Sequence, residues 1–254
     1  MCQQSEWYED DGGFFGPQYL LEYRNVLTSE KTRSEVNFLH DVLGLKRDMS
    51  VIDVACGHGR HTLELARLGC EVVGVDINTY FLAIARQAAE RKGIAVTYIR
   101  DDIRQLRFAG RFDVAVSIFN SIGYFETDED DQRVFDGVAR TLNPRGQFLI
   151  DVINRNAVLS NFRGHERREL PNGSSLLIDR SYDPETKRNT DRRTLVSAGA
   201  TRTLKSQTHR LYSSDELAMM AARSGLTHAR SFGDFNGSDL TTSSPRTIMI
   251  FNKS

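Results

Sequence analysis

The stretch that decides the fold is VIDVACGHGRHTLELARLG, Val51–Gly69. It begins with an apolar, β-branched run ending at Val54, continues through a loop that contains Gly57 and Gly59, and enters a helical pattern at His61. A buried strand, a glycine turn and a helix in this order are typical of a nucleotide-binding turn, because backbone N–H groups at the start of the helix face the ligand. The stretch therefore predicts a cofactor site at the turn.

The sequence around this stretch alternates between predicted strands and predicted helices. The strands are near-continuous apolar runs, as in a parallel sheet that is covered on both faces. They lie at residues 51–54, 71–75, 96–99, 114–118 and 148–152, and the helices lie at 61–68, 80–92 and 132–142. The pattern indicates an α/β fold with a doubly wound, mostly parallel, Rossmann-like sheet and right-handed crossovers.

The chain changes character on both sides of this core. Apolar residues at three- and four-residue spacing between Phe14 and Leu45 indicate two helices, the second ending at Gly44. Charged segments with turn signals between them indicate antiparallel strands at 167–170, 176–182, 193–196 and 201–212, followed by a helix at 213–224 and a strand at 247–251. We predict a single domain, residues 1–254, with an N-terminal helical cap at 14–45, a core at 46–155 and 212–254, and a β-rich insertion at 156–211 over the active site.

Composition excludes several classes of function. Lys and Arg number 33 and Asp and Glu number 34, a formal charge of -1, so no basic field favours nucleic acid as a partner. No apolar run approaches the roughly 20 residues that cross a bilayer, and Met1–Gly13 lacks the basic and apolar regions of a secretion signal. Three scattered cysteines indicate neither a disulfide framework nor a zinc site, and His40, His165, His209 and His228 lack metal-ligand spacing. We expect a cytoplasmic protein without a membrane partner and without a metal; a homodimer is compatible with the sequence.

The residues in the turn discriminate among cofactors. A phosphate-binding loop needs Lys followed by Ser or Thr after its glycines, whereas Arg60 follows Gly59 here. A dinucleotide site is closer, since Asp76 ends the next strand where a ribose would be held, but Thr62 replaces the third glycine of that fingerprint. Asp53, just before the turn, would also repel a pyrophosphate. The turn favours a ligand with ribose and adenine but cationic groups in place of phosphates, and S-adenosylmethionine is such a ligand.

Several segments in order resemble the motifs of the class I S-adenosylmethionine-dependent methyltransferases. D-V-A-C-G-H-G-R, beginning at Asp53, and G-V-D-I-N, ending at Asn78, are similar to the first two motifs, with Ala55 where the first glycine usually stands. Later segments similar to family motifs are Arg100–Ile103, Phe112–Val114, Phe119–Phe125 and Leu142–Gln147. The resemblance covers residues 14–151 and implies a Rossmann-like methyltransferase fold with S-adenosylmethionine as cofactor.

The resemblance implies roles for residues around the turn. The backbone at Gly57 and Gly59 would approach the methionine moiety. Asp53 would hold the ligand's amino group, directly or through water, or would only cap turn amides. Asp76 would accept both ribose hydroxyls, since a carboxylate offers two acceptors. The other residues that we expect at the cofactor are Ala55, Arg60, Ile77, Asp102, Ile103, Phe119 and Asn120.

Some of these positions keep a second interpretation. Asp102 and the Ile103 amide would bind adenine, with Asp101 as the alternative acid. Arg60 either pairs with the ligand carboxylate or is solvated. Asn78 either extends the ribose contact or caps the next helix.

The N-terminal segment FFGPQY, ending at Tyr19, resembles the entry segment of small-molecule methyltransferases, including those that act on amines and amino sugars. A tyrosine there closes over the donor, although the aromatic residues could equally pack a helix. We predict Tyr19 and Tyr124 as catalytic residues. Several groups could act as a base, and the sequence selects none of them: Tyr19, Tyr124, His165, His209 and Asp234.

These observations predict an enzyme that transfers a methyl group from S-adenosylmethionine to an N or O nucleophile of a small-molecule acceptor by in-line displacement, forming S-adenosylhomocysteine. A wall formed by the cap and the insertion would favour a compact acceptor. The alternatives are an RNA or protein methyltransferase, a nicotinamide-dependent oxidoreductase, and a non-catalytic protein that binds S-adenosylmethionine.

Overall fold

The computed structural model describes residues 14–254, and its central element is a seven-stranded sheet. The predictions made on Met1–Gly13 lie outside the described residues. The strands of this sheet are β1 Ser50–Val54, β2 Glu71–Asp76, β3 Thr97–Arg100, β4 Phe112–Ser117, β5 Leu142–Ile153, β11 Leu226–Phe232 and β12 Arg246–Lys253. Their order across the sheet is β11-β12-β5-β4-β1-β2-β3.

The pairing confirms the predicted doubly wound, mostly parallel sheet. Strands β3, β2, β1, β4 and β5 pair in parallel, and only β12 runs against its neighbours β5 and β11. From β1 the chain winds first towards β3 and then back through β4 to β5. The order therefore reverses between β1 and β4, and the carboxyl ends of strands beside such a point are where open α/β sheets bind ligands.

Helices cover both faces of the sheet. The helices are α1 Pro17–Glu22, α2 Ser29–Leu43, α3 Arg60–Arg67, α4 Thr79–Lys92, α5 Asp128–Thr141, α6 Arg155–Ser160 and α7 Ser214–Arg223, and a 3-10 turn spans Ile103–Gln105. Neighbouring side chains of a strand alternate between the faces. Val51 packs with Leu39 of α2 and Leu65 of α3, whereas Ile52 belongs to the cluster that contains Phe135 of α5 and Leu217 of α7.

The two N-terminal helices differ in their packing. Helix α2 ends at Gly44 in the left-handed conformation, as predicted, and buries Val36, Leu39 and Leu43 against the sheet. It is therefore one of the layers that cover the core. Of these two helices, α1, with residues 14–16 before it, lies over the carboxyl ends of the strands, where Phe15 and Tyr19 line a cleft.

A second, antiparallel sheet follows the core. It contains β6 His165–Glu169, β7 Ser175–Asp183, β8 Arg188–Ser197, β9 Ala200–Thr203 and β10 Gln207–Arg210, in the order β10-β8-β7-β6 with β9 beside β8. The strand expected at 201–212 is thus two short strands, and α6 was not predicted. No helix among residues 14–254 has the length and apolar character that a bilayer-spanning segment requires.

Candidate active site

A cleft of about 950 Å³ opens at the carboxyl ends of β1, β2 and β4. All the residues predicted to bind the cofactor line it, except Gly59: Tyr19, Asp53, Ala55, Gly57, Arg60, Asp76, Ile77, Asp102, Ile103, Phe119 and Asn120. Tyr124 lines it as well. The fold therefore brings residues from five separate chain segments to one place.

Gly57 and Gly59 have different roles in the turn. Gly57 has a φ of 55°, its N–H donates to Asp76 Oδ2 at 2.7 Å, and it lines the cleft. Gly59 has a φ of 76° and points away from the cleft, where an added Cβ would lie 2.8 Å from the Cβ of Ala85 and would clash with the Tyr98 hydroxyl. Because Gly59 does not line the cleft, its position does not support the expectation that its backbone approaches the ligand. The absence of a side chain at Gly59 instead permits close packing of α3 against α4 and β3.

We expect Gly59→Ala to destabilise the protein more than Gly93→Ala. Both glycines are left-handed, which costs another residue about 1–2 kcal/mol, but nothing lies within 4 Å of the Cβ that would be added at Gly93. The clash with Ala85 and Tyr98 should add about 1–3 kcal/mol, as overpacking does. Urea unfolding of both variants measures the difference, and equal losses would contradict the packing role.

Asp53 lies one residue before the end of β1, inside the protein. Its side chain is buried, and its Oδ2 accepts the hydroxyl of Thr62 at 2.6 Å. Burial raises the pKa of Asp53 to about 6. The negative charge of Asp76 also raises this pKa, whereas the hydrogen bond from Thr62 lowers it. Thr62 stands at the position of a glycine in dinucleotide sites, and here its hydroxyl donates a hydrogen bond to the Asp53 carboxylate. A buried carboxylate with an elevated pKa gains from a cationic ligand group nearby.

We predict that affinity for S-adenosylmethionine falls about tenfold between pH 7 and pH 5. With a pKa of about 6, roughly one Asp53 in ten is ionised at pH 5, and apparent affinity scales with the binding-competent fraction. Burial also raises the pKa of Asp76, which acts in the same direction. Calorimetry at the two pH values tests this, and Asp53→Asn should reduce the dependence to the part that Asp76 contributes. A flat profile in the wild type would show that neither carboxylate must be ionised.

Asp76 organises the rim of the cleft. Its two oxygens accept backbone N–H groups of Gly57 at 2.7 Å and of Asn78 at 2.8 Å, which joins the turn after β1 to the start of α4. Asn78 caps α4 by accepting the Phe81 N–H, and its amide donates to the Phe15 carbonyl. The capping interpretation of Asn78 is therefore correct, and the same side chain fixes the entry segment.

The two acids after β3 lie in different environments. Asp102 lines the cleft, caps the 3-10 turn and pairs with the Arg104 guanidinium at 2.6 Å. Asp101 does not line the cleft; it accepts the Asp102 N–H and faces Arg107 at 3.7 Å. The geometry favours Asp102 over Asp101 as the acid that faces a ligand.

Arg60 is partly buried, with one guanidinium nitrogen bound by neighbouring side chains and another without a partner among residues 14–254. Its Nη1 contacts the carboxylate of Glu35 and donates to Thr32, and its guanidinium lies 5.2 Å from the Phe119 ring centre. Its Nη2 is buried and has no hydrogen-bond partner among residues 14–254. A buried donor without a partner is costly. The lining position of Arg60 therefore fits a ligand carboxylate, such as that of S-adenosylmethionine.

His61 has a structural role at the same place. Its Nε2 lies 2.8 Å from Glu35 Oε2, and burial lowers the pKa of His61 to about 4. Burial opposes ionisation of Glu35, but the hydrogen bond from His61 and the charge of Arg60 outweigh it and hold the pKa of Glu35 at about 2. Glu35 therefore stays ionised and orients Arg60.

The segment after β4 is strained. Phe119 and Asn120 have φ values of 70° and 64°, a conformation that non-glycine residues rarely adopt. Asp151 maintains it: its side chain accepts the Phe119 N–H at 2.8 Å and its carbonyl accepts the Asn120 N–H at 3.0 Å. Arg246 in turn binds the buried Asp151 carboxylate through two bonds of 2.7 Å. Strain of this kind is found at functional sites.

A second cleft, of about 1240 Å³, adjoins the first under the antiparallel sheet. The two share five lining residues, which are Phe15, Tyr19, Phe119, Asn120 and Tyr124. Burial raises the pKa of Tyr124 to about 12 and that of Tyr19 well above its ordinary value. Both phenols therefore stay protonated near neutral pH and are available as hydrogen-bonding groups rather than as bases.

The structure separates the remaining candidate bases. His165 lies on exposed β6 and pairs with Asp179, and Asp234 binds the nearby Ser238 in an exposed loop. Neither lines either cleft, whereas His209 lines the second. Sequence reasoning also missed His58, which lines the first cleft and whose pKa burial lowers to about 4. Its position between Gly57 and Gly59 in the sequence could have indicated that it lies at the cofactor turn.

Comparison with known proteins agrees with this geometry. Residues 51–146 match a family described as a methyltransferase domain. Over 106 residues, which make up 42% of this chain and 43% of the relative, the chain is 34% identical to the ubiquinone biosynthesis O-methyltransferase of Photorhabdus laumondii. The chain thus spans less than half the length of the curated relatives that it matches.

Two solved structures establish the fold. An S-adenosylmethionine-dependent methyltransferase from Clostridium acetobutylicum superposes with a TM-score of 0.78 at 16% identity, covering 93% of this chain and 96% of that one. The sugar N-methyltransferase KedS8 from Streptoalloteichus has a TM-score of 0.68 at 20% identity, with 92% of each chain covered. Residues 51–146 thus match a methyltransferase domain, and the chain as a whole has the fold of these S-adenosylmethionine-dependent and sugar N-methyltransferases.

Proposed function

We propose that this chain transfers a methyl group from S-adenosylmethionine to a nitrogen or oxygen of a small-molecule acceptor. The observation that carries the proposal is the pair of adjoining clefts. The first contains the carboxylates and glycine turn suited to the donor, and the second, under the antiparallel sheet, offers a separate space for an acceptor. Tyr19, Asn120 and Tyr124 stand where the two spaces meet.

The chain's own residues supply binding and alignment. S-adenosylmethionine, when bound, supplies a methyl group on a sulfonium that is already a good leaving group. Asp76 would accept ribose hydroxyls, Asp102 would face adenine, Asp53 would face the amino group, and Arg60 would bind the carboxylate. The rigid Phe119–Asn120 turn would fix the methionine end. Alignment of two reactants in this way is worth about 7–11 kcal/mol of a barrier.

The lining of the second cleft favours a small acceptor over the other candidates. Its walls come from α1 and the antiparallel sheet, and its arginines are largely paired with acids, as Arg168 and Arg180 are with Glu166. An RNA substrate would need an open basic groove. Asp53 disfavours a nicotinamide dinucleotide, whose pyrophosphate would lie near that carboxylate.

Calorimetric titration with S-adenosylmethionine, and with NADH in parallel, tests the donor. We expect one-to-one, micromolar binding of S-adenosylmethionine alone; binding of NADH alone would replace the proposal with hydride transfer. Release of S-adenosylhomocysteine in the presence of small amines and phenols then tests turnover. Binding without turnover of any acceptor, RNA and protein included, would favour a non-catalytic role. The cytoplasmic location, the homodimer and the single-domain organisation stay predictions.

A further inference from the structure

The second cleft contains an arginine whose guanidinium is only partly bound by the protein. Arg246, the first residue of β12, donates to the Asp151 carboxylate through Nε and Nη2, each at 2.7 Å. Its Nη1 has no hydrogen-bond partner within residues 14–254. The side chain is 20% exposed, and Arg246 lines the second cleft but not the first. The hydrogens of Nη1 are therefore available to a ligand in the second cleft.

The free part of this guanidinium has the geometry to bind an anion with two oxygens. A guanidinium carries five N–H bonds in a planar fork. Because Asp151 occupies the edge formed by Nε and Nη2, the edge formed by Nη1 and the second hydrogen of Nη2 is free. Two parallel N–H bonds of an arginine bind both oxygens of a carboxylate or phosphate. Arg246 can therefore hold Asp151 and a ligand anion at the same time.

Arg246 lies beside the ring at which the two clefts meet. Phe119 lines both clefts, and its ring centre is 5.8 Å from the Arg246 guanidinium and 5.2 Å from that of Arg60. Of the two clefts, Arg60 lines the first alone and Arg246 the second alone. Each cleft thus has a guanidinium with an unbound nitrogen beside Phe119. Since Arg60 suits the carboxylate of the donor, Arg246 is left for an acceptor.

The charges around the second cleft leave one excess positive charge. Five of its lining residues are arginines, and four carboxylates pair with them, those of Glu22, Glu166, Asp191 and Asp151. Arg163 is the lining arginine that has no ion pair within residues 14–254. A cleft with an excess of one sign of charge concentrates ligands of the opposite sign. One positive charge balances a carboxylate, whereas a phosphate monoester carries about -1.5 to -2 near pH 7.

We propose that Arg246 is the residue of the second cleft that selects a methyl acceptor bearing a carboxylate, which pairs with the free edge of its guanidinium. The carboxylate lies next to Phe119, so the acceptor is anchored beside the junction with the donor cleft. This inference rests on the proposed methyl transfer. It adds a specificity-determining residue and a charge that the acceptor carries, and it concerns the anchor of the acceptor rather than the atom that is methylated.

The test compares para-fluorobenzoate with its uncharged analogue para-fluorobenzamide, which has nearly the same shape. Their aromatic ring suits the phenylalanine and tyrosine side chains that line the second cleft. The protein is loaded with S-adenosylhomocysteine, which occupies the donor cleft and has no methyl group to transfer, and fluorine NMR titration measures each Kd. We expect saturable binding of the benzoate and at least about tenfold weaker binding of the amide. Para-fluorophenyl phosphate should also bind more weakly than the benzoate.

A conservative variant tests whether Arg246 is the site of binding. Arg246→Lys keeps a positive charge beside Asp151 but removes the two-nitrogen edge, so it should weaken benzoate binding at least about tenfold and keep the affinity for S-adenosylhomocysteine within about threefold. The matched control is Arg155→Lys. Arg155 pairs with Glu216 at 2.7 Å, its side chain is 21% exposed, and it lines neither cleft. This control should bind the benzoate as the wild type does.

Three results with the wild-type protein would overturn the carboxylate site: no saturable binding of the benzoate, an amide that binds as tightly, or a phosphate that binds as tightly. None of them depends on whether a variant folds. Normal binding of both S-adenosylhomocysteine and the benzoate by Arg246→Lys would also overturn it. Calorimetry of S-adenosylhomocysteine with the wild type separates the two proposals. Absent product binding contradicts the proposed function, whereas normal product binding without a preference for the benzoate contradicts the carboxylate site alone.

Discussion

Asp76→Ala should weaken S-adenosylmethionine binding by about 10- to 100-fold. Hydrogen bonds to a charged group are worth about 1.5–3 kcal/mol each, and tenfold corresponds to about 1.4 kcal/mol. The carboxylate also holds the Gly57 and Asn78 N–H groups, so its loss loosens both the glycine turn and the start of α4. The loss of affinity in Asp76→Ala should therefore exceed the loss caused by deleting one hydrogen bond to the ligand while the site keeps its shape.

The matched control is Asp113→Ala, at the other end of the sheet. Asp113 accepts the Ser50 N–H at 2.9 Å and the Ser50 hydroxyl at 2.8 Å, so it too ties backbone together, but it does not line the donor cleft. We expect Asp113→Ala to reduce stability while leaving the calorimetric Kd within about twofold. If Asp76→Ala also keeps its affinity, the ribose assignment is wrong.

The core was predictable because its signals are local. Each strand is a short apolar run and each helix has a recognisable end, such as Gly44 after α2 and Gly93 after α4. Asp53 and Asp76 follow from the same reasoning, since a parallel strand delivers the residues at its carboxyl end to one edge of the sheet. Strand β11, by contrast, was missed because most of its residues, in the sequence LTHARSF, are polar and exposed at the sheet edge.

The second cleft depends on contacts that no local pattern contains. His209 lies beside Tyr124 because β10 pairs with β8 and the Arg210 N–H donates to the Gly123 carbonyl at 2.7 Å. Arg246 supports the turn at Phe119 from β12. The left-handed conformation of Phe119 and Asn120 could not be read from their residue types, because it is maintained by Asp151, 32 residues further along the chain from Phe119. The positions of these side chains are determined by pairing between distant strands, rather than by the conformational preference of each residue type.

The attachment of α1 to the second sheet depends on one buried carboxylate. Glu22, the last residue of α1, contacts the Arg193 guanidinium of β8 and pairs with Arg168 of β6 at 2.6 Å. The side chains of Glu22 and Arg193 are each 2% exposed, and burial lowers the pKa of Arg193 to about 10. The Phe14 ring covers the other side of Arg193 at 4.6 Å. The pair thus fixes the helix that carries Tyr19 over both clefts.

Glu22→Ala should therefore cost about 3–5 kcal/mol of stability, the range for a buried ion pair that loses one partner, because Arg193 stays buried with no counter-charge. Urea unfolding measures the loss, and turnover should fall with it as α1 detaches from the clefts. Asp41→Ala, which removes an exposed partner of His40 on α2, should leave the unfolding midpoint unchanged. The double variant Glu22→Met with Arg193→Met should recover most of the loss, since apolar residues of similar volume can replace a buried pair. If Glu22→Ala unfolds like the wild type, the contact between α1 and the sheet contributes no stability, and Tyr19 must be positioned by the aromatic cluster of Phe14, Phe15 and Phe81 alone.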